Sequence, residues 1–163
     1  MVAGGIAVSI WAAPRATVDL DFVIGITEET LPHFTEAAGE AGLVAFDTKP
    51  MEFKRIKLFR MFLKGKESQL LMLDFILADD EYKRESLGRA VTLEIEEQYI
   101  KVVSKEDIIL FKLLSGRAQD RVDAANIINI QKGSMDISYL QHWAERLSVS
   151  QSLNRLLANS NRE

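Results

Sequence analysis

Cysteine is absent from this chain. That excludes disulfides and thiolate metal sites, and it suits a reducing cytoplasm, the compartment expected here. Long apolar runs are absent too, because charges break the best of them, so no membrane partner is expected. Met1 to Pro14 is apolar, but no basic segment precedes it, and it does not read as a signal peptide. An excess of positive charge is also missing: 20 Lys and Arg stand against 24 Asp and Glu. Duplex-DNA binders are usually basic, so duplex DNA is not an expected partner. Only two histidines occur, His33 and His142, and neither sits in a spacing that suggests zinc. There is no repeat, low-complexity stretch or linker.

What remains is a chain of 163 residues, 47% apolar, which suits one domain with a real core. Gly4-Gly5 opens a short apolar helix over residues 6–13, ended by Pro14. Residues 17–24 alternate with period two and read as a strand, with Thr17, Asp19, Asp21 and Val23 on one face. Thr27 is the expected N-cap of a helix running to about Ala41, with Glu28 and Glu29 in its first turn. Strands are predicted over 43–46, 56–63 and 70–77, the last two joined by a turn at Lys64-Gly65-Lys66-Glu67. The segment 70–77 (LLMLDFIL) reads as a central strand buried on both faces, with Asp74 its only charge. A helical piece over 79–87 precedes a second hairpin, 91–95 and 99–103. From Ser104 the period becomes helical, with Ser104 and Asp107 as a capping box, a break at Ser115-Gly116, and helices over 122–130, 136–147 and 148–157. Residues 159–163 are expected to fray. Trp11 and Trp143 read as packing residues.

The acids carry the functional signal. Asp19 and Asp21 leave the same face of one strand. Two adjacent carboxylates raise each other's pKa unless a cation sits between them. Mg²⁺ takes oxygen ligands and is commonly held by a few carboxylates together with substrate phosphates. Asp74 is a buried charge that needs a strong partner. If its strand lies beside residues 17–24, all three acids converge, and such a group can hold two metals for phosphoryl chemistry.

Taken together, Gly4-Gly5, a short helix and Arg15-Ala16-Thr17-Val18-Asp19-Leu20-Asp21 resemble the nucleotidyltransferase superfamily, which includes DNA polymerase beta. The Arg-x-Thr-x-Asp-x-Asp form looks most like AbiEii-type proteins and their short bacterial relatives. A second block, Glu106-Asp107 through Lys112 followed by Arg117, Asp120 and Asp123, is similar to that group's helical segment. The resemblance implies an α+β fold: a nucleotidyltransferase-like mixed β-sheet flanked by helices, spanning 1–103, with a C-terminal helical segment over 104–163 packed on it as one compact unit. It implies Asp19, Asp21 and Asp74 as catalytic and metal-binding residues. It places Gly4, Gly5, Arg15, Thr17, Lys112 and Asp120 around the nucleotide, with Lys112 reaching phosphate and Asp120 bracing the site. The implied activity is Mg²⁺- or Mn²⁺-dependent transfer of a nucleoside monophosphate from an NTP such as ATP or GTP. The acceptor is open between a small molecule, a protein and RNA, and the oligomeric state is also open. Two alternatives are a catalytically silent nucleotide-binding or regulatory module, and a toxin–antitoxin component that modifies RNA.

Two details depart from the family pattern. Only Met1-Val2-Ala3 precede the glycines where relatives have a full strand, which predicts a loosely anchored loop. The second glycine replaces a serine whose hydroxyl many relatives use on phosphate. Finally, residues 49–66 hold seven bases (Lys49, Lys54, Arg55, Lys57, Arg60, Lys64, Lys66) against Glu52 alone. The preferred reading is an edge strand kept from aggregating by its charges; the other is a phosphate- or RNA-binding face.

Overall fold

The computed structural model describes residues 1–64 and 69–160. In chain order the elements are α1 (Gly4–Trp11), β1 (Asp19–Ile24), α2 (Leu31–Glu40), β2 (Leu43–Ala45), β3 (Met51–Phe53), β4 (Ile56–Lys64), β5 (Leu70–Leu77), α3 (Glu81–Gly88), β6 (Val91–Ile95), β7 (Gln98–Val102), α4 (Lys105–Ser115), α5 (Ala118–Ile130), α6 (Ile137–Arg146) and α7 (Ser150–Ser160). Five strands form a mixed sheet in the order β1-β5-β4-β2, with β3 also on β4, and β6 with β7 forms a separate ribbon.

Strand β1 runs parallel to β5 and puts Asp21 opposite Asp74. Strand β4 runs antiparallel to β5 and puts Arg60 opposite the same Asp74. Because side chains alternate across a strand, Asp19, Asp21, Asp74 and Arg60 share one face. The same face carries Val23 and Ile76 into a core with Val8 of α1, Ile109 of α4, Ile127 of α5 and Leu153 of α7. The opposite face of the sheet, through Phe59, Met61, Leu73 and Phe75, packs on α2.

Residues 1–3 are well anchored, contrary to the loose attachment predicted for the loop they lead into. Val2 bridges β1 on one side and β7 on the other. Ala3 donates to Asp21 O at 2.8 Å, Val103 donates to Val2 O at 2.9 Å, and Val23 donates to Met1 O at 2.9 Å. Three residues suffice because each backbone group has a strand to bond on either side.

Other expectations shift at the element ends. Helix α2 starts one turn later than expected, with Thr30 rather than Thr27 at the N-cap and Pro32 in the first turn. Proline fits there because its missing N–H would be unpaired in any case. Residues 27–30 form a turn instead, in which the Thr30 hydroxyl donates to Thr27 O. Strand β3 was not predicted, and α5 begins at Ala118, four residues earlier than expected. Helix α7 runs through Ser160. Of the predicted turn at Lys64 to Glu67, the residues after Lys64 lie outside the described residues, as do 161–163.

The basic stretch is not an edge strand. Strand β4 lies inside the sheet, between β5 and β2. Two of its three bases are paired locally: Lys57 with Glu28 and Asp79, and Arg60 with Asp74. Both tryptophans pack, Trp11 donating to Val103 O at 2.8 Å and Trp143 lying against Tyr82 with ring centroids 5.1 Å apart. No helix among the described residues is long and apolar enough to cross a membrane.

Candidate functional site

Carboxylate oxygens of Asp19, Asp21 and Asp74 all lie within 4.8 Å of one another. Two local patterns and one long-range pairing achieve this. The period of two in β1 puts Asp19 and Asp21 side by side, and the parallel register brings Asp74 opposite Asp21. The three sit in a cleft of about 720 Å³. One wall is the start of α1, and another is α4 with Phe111 and Lys112. The tip of the β3–β4 hairpin leans over the cleft, where Lys54 donates to Ser115 O at 2.9 Å.

The electrostatics show strain that a cation would relieve. The Asp21 carboxyl is raised to about 6, first by burial and then by Asp19 and Asp74, against the opposing pull of Lys112 and the Gly5 N–H. An all-oxygen donor set with such mutual repulsion fits Mg²⁺ or Mn²⁺.

Gly4 and Gly5 sit against these acids. Gly4 has φ +56°, and a Cβ built there would lie 1.7 Å from Asp21 Oδ2. At Gly5 a Cβ would lie 2.6 Å from Thr17 Oγ1. Both positions therefore exclude side chains, the first by backbone conformation as well as by space. Gly4→Ala should accordingly displace the Asp21 carboxylate or the loop. The expected result is a loss of at least about 2 kcal/mol of stability and of divalent-ion affinity together. Thermal melting and Mn²⁺ titration check this; an unchanged affinity would mean that Asp21 does not face the ion.

Thr17 donates to Asp19 Oδ1 at 2.8 Å and so fixes that carboxylate's orientation. Arg15 does not touch the acid group; its Nη2 lies 3.2 Å from Asp123 Oδ2. Lys112 is 6% exposed, and its Nζ lies 2.9 Å from both Asp120 Oδ1 and Asp123 Oδ2. Arg117 Nε donates to Asp120 Oδ2 at 2.7 Å. Burial works to raise the Asp120 carboxyl, but hydrogen bonds from Arg117 and Lys112 prevail and lower it to about 2. Three cations and two carboxylates thus form one network beside the triad, with one positive charge to spare. Its field reaches the triad, since Lys112 acts on Asp21 and Asp21 acts on Arg117.

Two residues named in the sequence take part in a way that was not expected of them. Asp123, 1% exposed, bridges Lys112 and Arg15. Its i,i+3 spacing from Asp120 was the available signal. Arg60 donates from Nε and Nη2 to the two oxygens of Asp74, each at 2.7 Å. The basic stretch included it, but its pairing with Asp74 depends on strand register, which no local pattern marks. His33 and His142 are both exposed, and neither belongs to the acid group.

No protein-family model and no curated protein sequence matches the chain. In three dimensions it is similar to the crystal structure of an antigenic nucleotidyltransferase-like protein from Paracoccidioides brasiliensis. The two superpose with a TM-score of 0.54 and 22% sequence identity, over 96% of this chain and 83% of the other. Sheet order, the position of the acids and this superposition together assign the chain a nucleotidyltransferase-like fold.

Proposed function

We propose that this protein is a metal-dependent nucleotidyltransferase that moves a nucleoside monophosphate from an NTP to an acceptor and releases pyrophosphate. The observation that carries the reading is the convergence of Asp19, Asp21 and Asp74 at the foot of the Gly4-Gly5 turn. A divalent ion held there would neutralise the triphosphate and polarise the α-phosphate. The chain's own groups do the rest. The backbone at Gly4 and Gly5, at the start of α1, approaches phosphate without side-chain obstruction. Lys112 and Arg117 supply the positive charge that attracts the β- and γ-phosphates, while Asp120 and Asp123 hold Lys112 in place. Arg15 braces the network through Asp123. Thr17 holds the Asp19 carboxylate toward the ion. The acceptor hydroxyl then forms one O–P bond as the bond to pyrophosphate breaks, and its proton leaves through the carboxylates to water.

Calorimetry with Mg²⁺ and an NTP tests this. Wild type should bind nucleotide only with the metal, and Asp19→Ala should weaken binding by roughly tenfold to a hundredfold. Equal affinity for the two proteins would sink the metal role. A catalytically silent module would bind the nucleotide yet release no pyrophosphate with any acceptor. The Arg-x-Thr-x-Asp-x-Asp motif also suits a toxin-type activity on RNA. That version requires growth arrest on expression, relieved by Asp21→Ala.

A further inference from the structure

Among the described residues, Arg60 is the one cation in direct contact with the acid group. Its two donors grip both oxygens of Asp74 in a bidentate fork. Asp74 is 4% exposed, so the pair is largely shielded from water, where removing either partner would strand a charge. Asp19, by contrast, accepts a side-chain bond from Thr17 at one oxygen only. The other nearby cations are spoken for: Arg15, Lys112 and Arg117 are each paired with Asp120 or Asp123. Three carboxylates and one guanidinium leave two net negative charges, which is the charge of one divalent ion.

We infer that Arg60 stands in for a second metal ion. Before nucleotide arrives, the site holds one divalent ion, on Asp19 and Asp21, while Arg60 positions and neutralises Asp74. The arginine also keeps a free donor. Its Nη1 has no hydrogen-bond partner among the described residues, and the side chain lines the cleft, so it can meet an oxygen of the acceptor or of the α-phosphate. The inference rests on the nucleotidyltransferase reading above, and it sharpens that reading by fixing how many ions the protein itself supplies a place for.

Counting bound Mn²⁺ on the nucleotide-free protein, by electron paramagnetic resonance titration, tests it. Wild type should bind one ion per chain. Arg60→Gln frees Asp74 and should bind two. Arg60→Lys keeps the charge and should bind one. The double variant Arg60→Gln/Asp74→Asn should return to one, which ties the added ion to Asp74. Should Arg60→Gln fail to fold, Asp74→Asn alone decides: one ion is expected, and loss of binding would place Asp74 among the ligands and overturn the inference. Two ions on wild type, or one on a folded Arg60→Gln, would also overturn it and leave the nucleotidyltransferase reading standing. No ion on wild type, with or without NTP, would instead remove that reading, and the inference with it.

Discussion

Asp21→Asn is expected to leave a protein that is more stable than wild type at neutral pH and is inactive. The native Asp21 carboxyl is raised to about 6, first by burial and then by Asp19 and Asp74. Between its ordinary value and about 6, the folded chain binds a proton that the unfolded chain has released. Stability from this group therefore falls as pH rises through that window, and the penalty is complete above it. A shift of that size corresponds to at most about 3 kcal/mol, and partial solvent access reduces it to about 1–2 kcal/mol. The amide carries no such penalty. In EDTA at pH 7, Asp21→Asn should melt roughly 2–6 °C above wild type, and the gap should close near pH 4. Saturating Mg²⁺ should raise wild type alone, because the ion binds only where the carboxylates attract it. Pyrophosphate release should drop by more than about 100-fold, since losing even an outer partner of a metal site commonly costs that much. A variant that melts below wild type in EDTA would remove the strain assigned to Asp21; one that keeps its activity would remove Asp21 from the site.

Lys112→Met is expected to be the most destabilising single change near the site. The substitution keeps most of the side-chain volume and removes the charge that Asp120 and Asp123 share at 2.9 Å. Both aspartates are about 1% exposed, so neither can recover its solvation. Breaking a buried pair in this way costs about 3–5 kcal/mol; Arg15 and Arg117 still reach the two acids, which favours the lower end. Melting should fall by roughly 6–12 °C. Arg117→Gln is the control. Its side chain is 75% exposed, and its loss should cost under about 1 kcal/mol. Acid behaviour should change as well. Asp120 is lowered to about 2, so the stability it contributes is present above the ordinary carboxylate range and is lost as pH falls toward 2. In Lys112→Met that acid-sensitive part should shrink. Equal melting points for Lys112→Met and Arg117→Gln would mean the lysine is not the keystone of the network.

The arrangement of charges has a functional logic. The triad is under-neutralised and the neighbouring network is slightly over-neutralised, so a metal–triphosphate complex would complete both at once. A preorganised site of this kind keeps its strain until substrate binds, and the anchoring of residues 1–3 between β1 and β7 is what holds the glycine turn against the acids meanwhile.

Much of this was legible in short stretches of sequence. Period-two alternation over 17–24 fixed that Asp19 and Asp21 share a face, and a lone acid in LLMLDFIL marked Asp74 as a buried charge in need of a partner. Ser104 and Asp107 marked the start of α4, where the Ser104 hydroxyl does cap the helix by accepting from the Asp107 N–H. These features depend only on neighbours a few residues away, so local periodicity and capping chemistry determine them. What tertiary structure alone decided is which strands are neighbours and in what register. That Asp74 faces Asp21 rather than a solvent edge, that β4 is interior, and that Arg60 falls opposite Asp74 and takes both its oxygens, all follow from pairing between segments far apart in the chain. A one-residue slip in β4 would turn Arg60 to the α2 side of the sheet, and no local propensity distinguishes the two registers. The carboxylates were thus written in the sequence, whereas their partner and their meeting point were set by the packing of the sheet.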